Sequence, residues 1–277
     1  MKLDLKKLKL RKVNEQLQNI DRKINDRNFT IINPEGNHAV CAGLTEELNI
    51  NIKGHVGYYC AGMNQKANIT IEGNVGTGVA ENMMSGKVHV KGNASQSAGA
   101  TAHGGLLIID GDASSRCGIS MKGVDIVVKG SVGHMSGFMS QAGNLVVCGD
   151  AGEALGDSLY ETNIYIKGKV KSLGADCVEK KMDKKHIKKL NLLLKEANIK
   201  NYKAESFKRY GSAKKLYNFL AEPYLLKLSA LWFFISASFK NFFNLLICFL
   251  SIFFSTQSAP KDLTLSLIHI SEPTRRM

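Results

Sequence analysis

The sequence predicts an all-β fold, a parallel β-helix of about seven to eight coils with 19 residues in each coil. The first observation is a comb of seven glycines, each 19 positions after the one before: Gly54, Gly73, Gly92, Gly111, Gly130, Gly149 and Gly168. The second is that the residues four and two positions before each comb glycine, and the residue two positions after it, are always apolar. The third is a small residue seven positions after each comb glycine: Ala61, Ala80, Gly99, Gly118, Gly137, Gly156 and Ala175.

Each repeat therefore predicts a short strand that buries one face and ends in a tight corner, because apolar residues alternate before the glycine. A 19-residue unit has too few apolar side chains to bury that face alone, so it must stack on its neighbours. Small residues are expected where the coil bends inward. Burial of roughly 20 inward side chains, at about 1.5 to 3 kcal/mol each, outweighs local propensity. A hexapeptide helix, the nearest alternative, needs a six-residue sub-period that is missing here.

Residues 1–28 are predicted to form an N-terminal helical cap. One apolar helical face is formed by Val13, Leu17, Ile20 and Ile24. An open β-helix end exposes an edge strand that invites pairing with another chain, so we expect this helix to cover the first coil or a partner.

Residues 29–178 contain the repeats, and residues 179–219 are predicted to form a C-terminal helix and docking segment. Asp183 can cap a helix there. The apolar face of that helix comprises Ile187, Leu190, Leu194 and Ala197. We expect the helix to close the other end of the β-helix.

The formal net charge of +13 is distributed unevenly. Residues 29–178 carry ten Lys and Arg against thirteen acidic residues, so the positive excess lies in the flanking segments. Lysines at helical spacing are typical of a solvated surface, and here they are Lys180, Lys181, Lys184, Lys185, Lys188 and Lys189. Because no aromatic residues interleave with them, the sequence argues against nucleic-acid binding.

The six cysteines, in a chain without a recognisable signal peptide, favour free thiols and a cytoplasmic location. Cys60 and Cys117 occupy the same position three coils apart, which separates them by on the order of 14 Å. That distance is too long for a disulfide or a shared metal ion, so we interpret both as semi-buried structural thiols.

Several segments resemble a known family. They include "GHVGYYCAGMN", "AENMMSGKVHVKGNASQSAGATAHGG", "SRCGISMKG", "GSVGHMSGFMSQAG", "GDAGEALGDSLYE", "KSLGADC" and "FKRYGSAKKLYNF". Together they resemble the C-terminal GXGXG domain of the glutamate synthase large chain. The stand-alone form, a subunit of N-methylglutamate synthase (methylamine-glutamate N-methyltransferase), is the most similar. The likeness covers residues 29–219 and implies a right-handed β-helix that acts as a non-catalytic structural and interaction subunit.

The resemblance also implies partners that carry the chemistry. In that family the β-helix packs against an FMN and iron-sulfur synthase part and against a glutamine amidotransferase part. FMN and an iron-sulfur cluster are therefore expected in a partner subunit, and no cofactor is expected in this chain. Two alternatives stay open: the formylmethanofuran dehydrogenase subunit that has the same repeat, and an independent carbohydrate-active β-helix.

The residues themselves favour no chemistry in this chain. Gly76 and Gly78 form a G-x-G, but the third glycine and the following acidic residue of a dinucleotide-binding unit are missing. Acidic residues scatter over several positions of the repeat, unlike the grouped carboxylates of a pectin-cleaving β-helix. His55, His103 and His134 fall at three different positions. We expect no catalytic, cofactor-binding or metal site.

A methionine-rich face is the candidate surface for partner contacts. Five methionines lie nine to eleven positions after a comb glycine, and methionine suits adaptable contact surfaces. The alternative is that these side chains fill the interior of the β-helix. The residues predicted at the interface are Tyr58, Tyr59, Met63, Met83, Met84, His103, Met121 and Met139.

Residues 220–277 differ in composition from the rest of the chain. Residues 225–254 are mostly apolar and, read literally, could span a bilayer once. Residues 265–275, "LSLIHISEPTR", match the translation of a transposase sequencing adapter. We therefore interpret residues 220–277 as the product of a frameshift or an assembly error, which resequencing of the locus tests.

Overall fold

The computed structural model describes residues 1–20 and 26–214, and it confirms the parallel β-helix. Nine strands follow one another in parallel: β1 (Lys2–Asp4), β2 (Asn28–Ile32), β3 (Asn49–Lys53), β4 (Asn68–Ile71), β5 (Lys87–Val90), β6 (Leu106–Ile109), β7 (Lys122–Val128), β8 (Ala142–Val147) and β9 (Asn163–Ile166). Two further strands and the helices are β10 (Cys177–Lys180), β11 (Lys208–Ser212), α1 (Leu10–Gln18), α2 (Lys184–Glu196) and a 3-10 helix (Ala204–Ser206).

The strands stack in the register that the glycine comb predicts. From β3 to β9, paired residues are 19 positions apart, as in the pairs Asn49–Asn68 and Lys87–Leu106, except at an irregularity where Lys122 pairs with Ala142. The first coil is longer, because Asn28 pairs with Asn49. The eight strands from β2 to β9 enclose seven coils. Strand β1, which the sequence analysis did not predict, adds to the outer edge of β2.

The predicted apolar positions form the core. Of the 21 residues, 20 are buried and Val170 is partly buried. The residues two positions after the comb glycines form a second stack of parallel bridges, for example Val56 with Val75 and Ala113 with Val132. Each coil therefore closes around an interior that apolar side chains fill.

A polar ladder that the sequence analysis missed explains the comb glycines. The residue after a comb glycine accepts a hydrogen bond from the equivalent backbone N–H one coil later. Asn93 N donates to Asn74 Oδ1 (2.8 Å), and Asp112 N donates to Asn93 Oδ1 (2.8 Å). A Cβ on Gly111 would collide with Asn93 Oδ1. Glycine is required there because the ladder occupies the space of a side chain.

The part of each coil opposite the strand contains left-handed backbone. The residues five, seven and nine positions after the comb glycine have positive φ, as Tyr59 (58°), Ala61 (56°) and Met63 (55°) do. The small residues from Ala61 to Gly156 occupy the middle position, where a larger side chain would also meet the core. The prediction for Ala175 was wrong, because that residue is exposed beyond the last complete coil.

Helix α1 covers the first coil. Val13 and Leu17 are fully buried, and Ile20 packs against the core; Ile24 lies outside the described residues. Asn14 Nδ2 donates to Ala39 O (2.8 Å), and Gln18 Nε2 donates to Ala42 O (2.8 Å). The helix therefore supplies donors to backbone carbonyls that have no preceding coil.

Helix α2 begins after Asp183, as predicted, but the expectation that it closes the far end was wrong. It packs on the outer side of strands β6 to β9, where Leu190 and Leu193 join a cluster with Val127 and Tyr165. Strand β11 pairs antiparallel with β9, and β10 pairs with β11. The outer faces of these strands are apolar, which attracts the helix to the side of the β-helix.

The described residues include no helix long and apolar enough to cross a membrane. The predictions for residues 220–277, including the literal membrane span at 225–254, lie outside the described residues.

Candidate functional site

The candidate surface lies on the left-handed parts of the coils. Tyr58 and Tyr59 are 50% and 51% exposed. The His38 ring stacks on Tyr58 with centroids 4.5 Å apart, and Tyr59 meets Tyr58 edge-on at 6.4 Å. Tyr58 N donates a hydrogen bond to His38 Nδ1 (2.9 Å). The two tyrosines are therefore exposed but held in position by contacts that include His38, which the sequence analysis did not single out.

The G-x-G motif supports these two rings. A Cβ on Gly76 would lie 2.8 Å from Tyr58 Cδ1, and a Cβ on Gly78 would lie 2.7 Å from Tyr59 Cδ1. Both glycines belong to the next coil of the β-helix. Their absent side chains let the tyrosine rings approach that coil closely.

The five methionines divide by position. Met63 and Met84, nine and eleven positions after a comb glycine, are 55% and 47% exposed. Met83 and Met121, ten positions after one, are fully buried, so their assignment to an exposed interface was wrong. In this stretch successive side chains point alternately into the interior and into solvent. Some of the methionines therefore belong to an exposed surface and others fill the interior, which are the two alternatives that the sequence left open.

The structure places the other two predicted residues apart from each other. His103 is exposed, and its N–H donates to Met83 O (2.8 Å), which sets it beside Met84. Met139 is exposed but lies four coils beyond Met63, a separation of about 19 Å along the stack. We name Tyr58, Tyr59, Met63 and Met84 the tyrosine–methionine surface.

The backbone of this surface is rigid. Tyr59 and Met63 adopt left-handed conformations that are unusual for such side chains. Their N–H groups donate to Thr77 O and Glu81 O of the next coil, both at 2.8 Å. The same conformation recurs at these repeat positions in other coils, as at Ser97 and Thr101, so it is a property of the fold.

The thiols belong to the core rather than to a reactive site. Cys60 and Cys117 are fully buried, more than the semi-buried interpretation expected, and Cys41 is fully buried as well. Burial raises the pKa of the Cys60 and Cys117 thiols to about 12. Nucleophiles and metal ligands need the thiolate, which these surroundings disfavour. No group of three or more His, Cys, Asp and Glu that could hold a metal ion occurs in residues 1–20 and 26–214.

A charged cluster lies on the outer side of β5 to β7. Asp110 accepts hydrogen bonds from His89 Nε2 (2.8 Å) and Lys129 Nζ (2.7 Å), and Lys91 Nζ is 3.5 Å from its other oxygen. Burial lowers the pKa of His89, which the hydrogen bond to Asp110 only partly opposes. Burial alone would raise the pKa of Asp110, but the bonds from Lys129 and His89 lower it.

Comparison with known proteins establishes the family. Residues 3–224 match the model of the family described as GXGXG motif. The chain belongs to the GXGXG family. A relative, Protein GlxC from Rhizobium meliloti (strain 1021), is 58% identical over 217 residues, which are 78% of this chain and 95% of the relative. The resemblance predicted from the sequence is confirmed, and GXGXG membership relates the chain to glutamate synthase.

Proposed function

We propose that this GXGXG chain is a non-catalytic structural and interaction subunit of a glutamate synthase-like complex that makes N-methylglutamate or glutamate. FMN and an iron-sulfur cluster belong to a synthase-like partner, and glutamine chemistry belongs to an amidotransferase-like partner. The family relationship supports the glutamate synthase context.

The tyrosine–methionine surface carries the proposal. Tyrosine and methionine are enriched at the centres of protein interfaces, where a few aromatic anchors supply most of the binding energy. Here two tyrosines are about half exposed, and Tyr58 is held by stacking on His38 and Tyr59 by its edge contact with Tyr58. Little conformational entropy is lost when such a preorganised surface binds.

The filled interior directs binding to the outside of the coils. The inward positions of the coils are occupied by buried side chains such as Ile52, Ile71 and Val90. Substrate therefore has no path through the centre, and contacts with other molecules involve the sides of the rod.

Co-expression with candidate partners tests the proposal. The probes are the FMN-type synthase-like subunit and the glutamine amidotransferase-like subunit from the same organism. The variant Tyr59→Asn with Met63→Asn removes both apolar side chains, and asparagine tolerates the left-handed backbone at these positions. We expect at least about tenfold weaker binding of one partner.

The matched control is Ser97→Asn with Ser120→Asn, which introduces asparagine at the same two repeat positions of other coils. It should bind like the wild type. Met139→Asn reports how far the interface extends along the stack. A wild-type chain that binds neither partner, or that turns over substrate by itself, contradicts the proposal. So does selective association with the other subunits of a formylmethanofuran dehydrogenase.

A further inference from the structure

Residues 179–214 carry a strong positive charge on the side of the β-helix. They contain twelve Lys and Arg against four Asp and Glu, whereas residues 29–178 contain ten against thirteen. Helix α2 buries Leu190, Leu193 and Leu194 against the strands. Its opposite face is exposed to solvent. Together with Lys181, which is exposed just before the helix, we name this face the α2 lysine surface: Lys181, Lys184, Lys185, Lys188, Leu192 and Lys195.

Most of this charge lacks an ion pair within residues 1–20 and 26–214. Lys189 pairs with Asp125 (2.7 Å), Lys208 with Glu179 (3.1 Å) and Lys214 with Asp176 (2.7 Å). Within residues 1–20 and 26–214, the lysines without an ion pair include Lys180, Lys181, Lys184, Lys185, Lys188, Lys195, Lys200 and Lys203. Like charges this close repel each other, and an acidic partner would relieve that repulsion.

An apolar centre accompanies the lysines. Leu192 is 48% exposed, and it lies four residues after Lys188 and three before Lys195, so the three share one helical face. On the same helix a shallow depression of about 410 Å³ is lined by Asn191, Leu194, Lys195, Asn198, Ile199, Lys200 and Tyr202. An apolar centre inside a charged rim is the arrangement of a protein interface.

The same segment is poorly suited to nucleic acid. Its single arginine, Arg209, is engaged: Nη1 donates to Asn163 Oδ1 and Nε donates to Lys181 O, both at 3.0 Å. Phe207 is buried, and Tyr202 faces the ammonium group of Lys167, 5.8 Å from the ring centroid. Bases therefore meet no exposed aromatic platform in residues 179–214, and single-strand binding depends on such stacking.

We infer that the α2 lysine surface docks an acidic surface of a protein subunit, with Leu192 in the apolar centre of the contact. The inference rests on the proposed function for the identity of the complex. The α2 lysine surface lies on the strand side of the coils, whereas the tyrosine–methionine surface lies on the left-handed side. Two different parts of a complex can therefore bind the rod at once.

Charge reversal tests the inference. The variant Lys181→Glu, Lys184→Glu, Lys185→Glu, Lys188→Glu places acidic residues at and before the first turns of α2, where they suit the helix dipole, so the helix stays folded. The probes are the two subunits named above, and the dissociation constant is measured at about 50 mM and about 300 mM NaCl. We expect one subunit to bind the variant on the order of 100-fold more weakly at low salt, with little remaining salt dependence.

A control with the same change in net charge is Lys2→Glu, Lys7→Glu, Lys12→Glu, Lys53→Glu, whose lysines are exposed elsewhere. It should change the affinity by less than about threefold.

If the reversed variant binds both subunits like the wild type while Tyr59→Asn with Met63→Asn weakens binding, only the α2 inference fails. If the wild type binds neither subunit, the proposed function and the inference both fail. Tight binding of a duplex DNA of about 20 base pairs by the wild type, lost in the reversed variant, would assign the surface to nucleic acid and overturn the inference.

Discussion

The outer faces of strands β4 and β5 differ from those of strands β6 to β9. In β4 and β5 apolar residues alternate with polar ones, and the outward side chains Thr70 and His89 remain partly exposed. In β6 and β9 the sequences are LLII and NIYI, and the outward Ile108 and Tyr165 are buried. The outer face of the β-helix is thus open to solvent over β4 and β5 and covered over β6 to β9. We call these two regions the open half and the covered half.

This difference in strand sequence determines which strands helix α2 packs against. Strands that are buried on both faces have continuous apolar sequences, whereas strands open on one face alternate. Helix α2 and Phe207 pack only where the sequence is continuous. At the boundary, Lys87 Nζ donates to Glu196 O (3.4 Å) and ties the end of α2 to β5.

The largest difference in stability between the two halves is expected when a carboxylate is introduced on the outer face of a strand in each of them. Val127→Asp introduces a carboxylate beneath α2 and should destabilise the protein by about 3 to 5 kcal/mol, because the charge is buried without a partner. Thr70→Asp, on the open half, should cost less than about 1 kcal/mol. Urea unfolding of both variants measures the difference, and equal costs would show that the halves are equivalent.

A smaller effect is expected from the helix itself. Leu190 is fully buried and Leu192 is 48% exposed on the same helix. Leu190→Ala should cost about 2 to 4 kcal/mol through the cavity that it leaves, and Leu192→Ala should stay within about 0.5 kcal/mol. The two unfolding midpoints give the comparison. A large loss for Leu192→Ala would place its side chain in the fold rather than on the surface.

The contribution of the polar ladder to the free energy of unfolding should be the same in the open half and in the half that α2 covers. Asn74 lies in the open half, and Ser131 lies in the covered half, where its Oγ accepts from Asp150 N (3.0 Å). Replacement of either by alanine should cost about 1 kcal/mol, the net value of one hydrogen bond. If the two losses of unfolding free energy differ by more than their errors, then α2 also affects the corner of the coil.

The smallest effect is expected in the pH dependence at the boundary. Burial holds the pKa of His89 below its ordinary value of 6.5, so the unfolded chain binds this proton more readily than the fold does. Stability should therefore fall as the pH drops through about 6.5. His89→Gln should reduce that fall between about pH 7 and pH 5, as followed by thermal unfolding. The exposed His103→Gln is the control for the loss of a histidine side chain.

Much of the fold was predictable because each repeat encodes the same step. The comb and its apolar flanks fixed the strand positions and the core, since stacking leaves one register that buries every inward residue. The polar ladder was also readable: His55, Asn74, Asn93, Asp112, Ser131 and Asp150 all follow a comb glycine, and all carry acceptors.

The candidate surface was only partly predictable. Met63, Met83 and Met84 lie within one short span, and their exposure depends on left-handed backbone whose alternation the sequence does not reveal. The stacking of His38 on Tyr58 joins coils of unequal length, so the 19-residue period does not align them. The continuous apolar sequence of β6 indicated that the outer face of this strand is covered. Whether α2 packs on that face or at the end of the β-helix could be decided only from the cluster of side chains in the structure.

Hydrogen–deuterium exchange on the chain, alone and bound to each of the two partner subunits in turn, tests most directly whether it binds them through its sides. We predict slower exchange on binding in residues 58–63 and 82–85, with strands β4 and β5 unchanged. Unchanged exchange in residues 58–63 in stable complexes with both subunits would contradict the assignment of the tyrosine–methionine surface as the binding site.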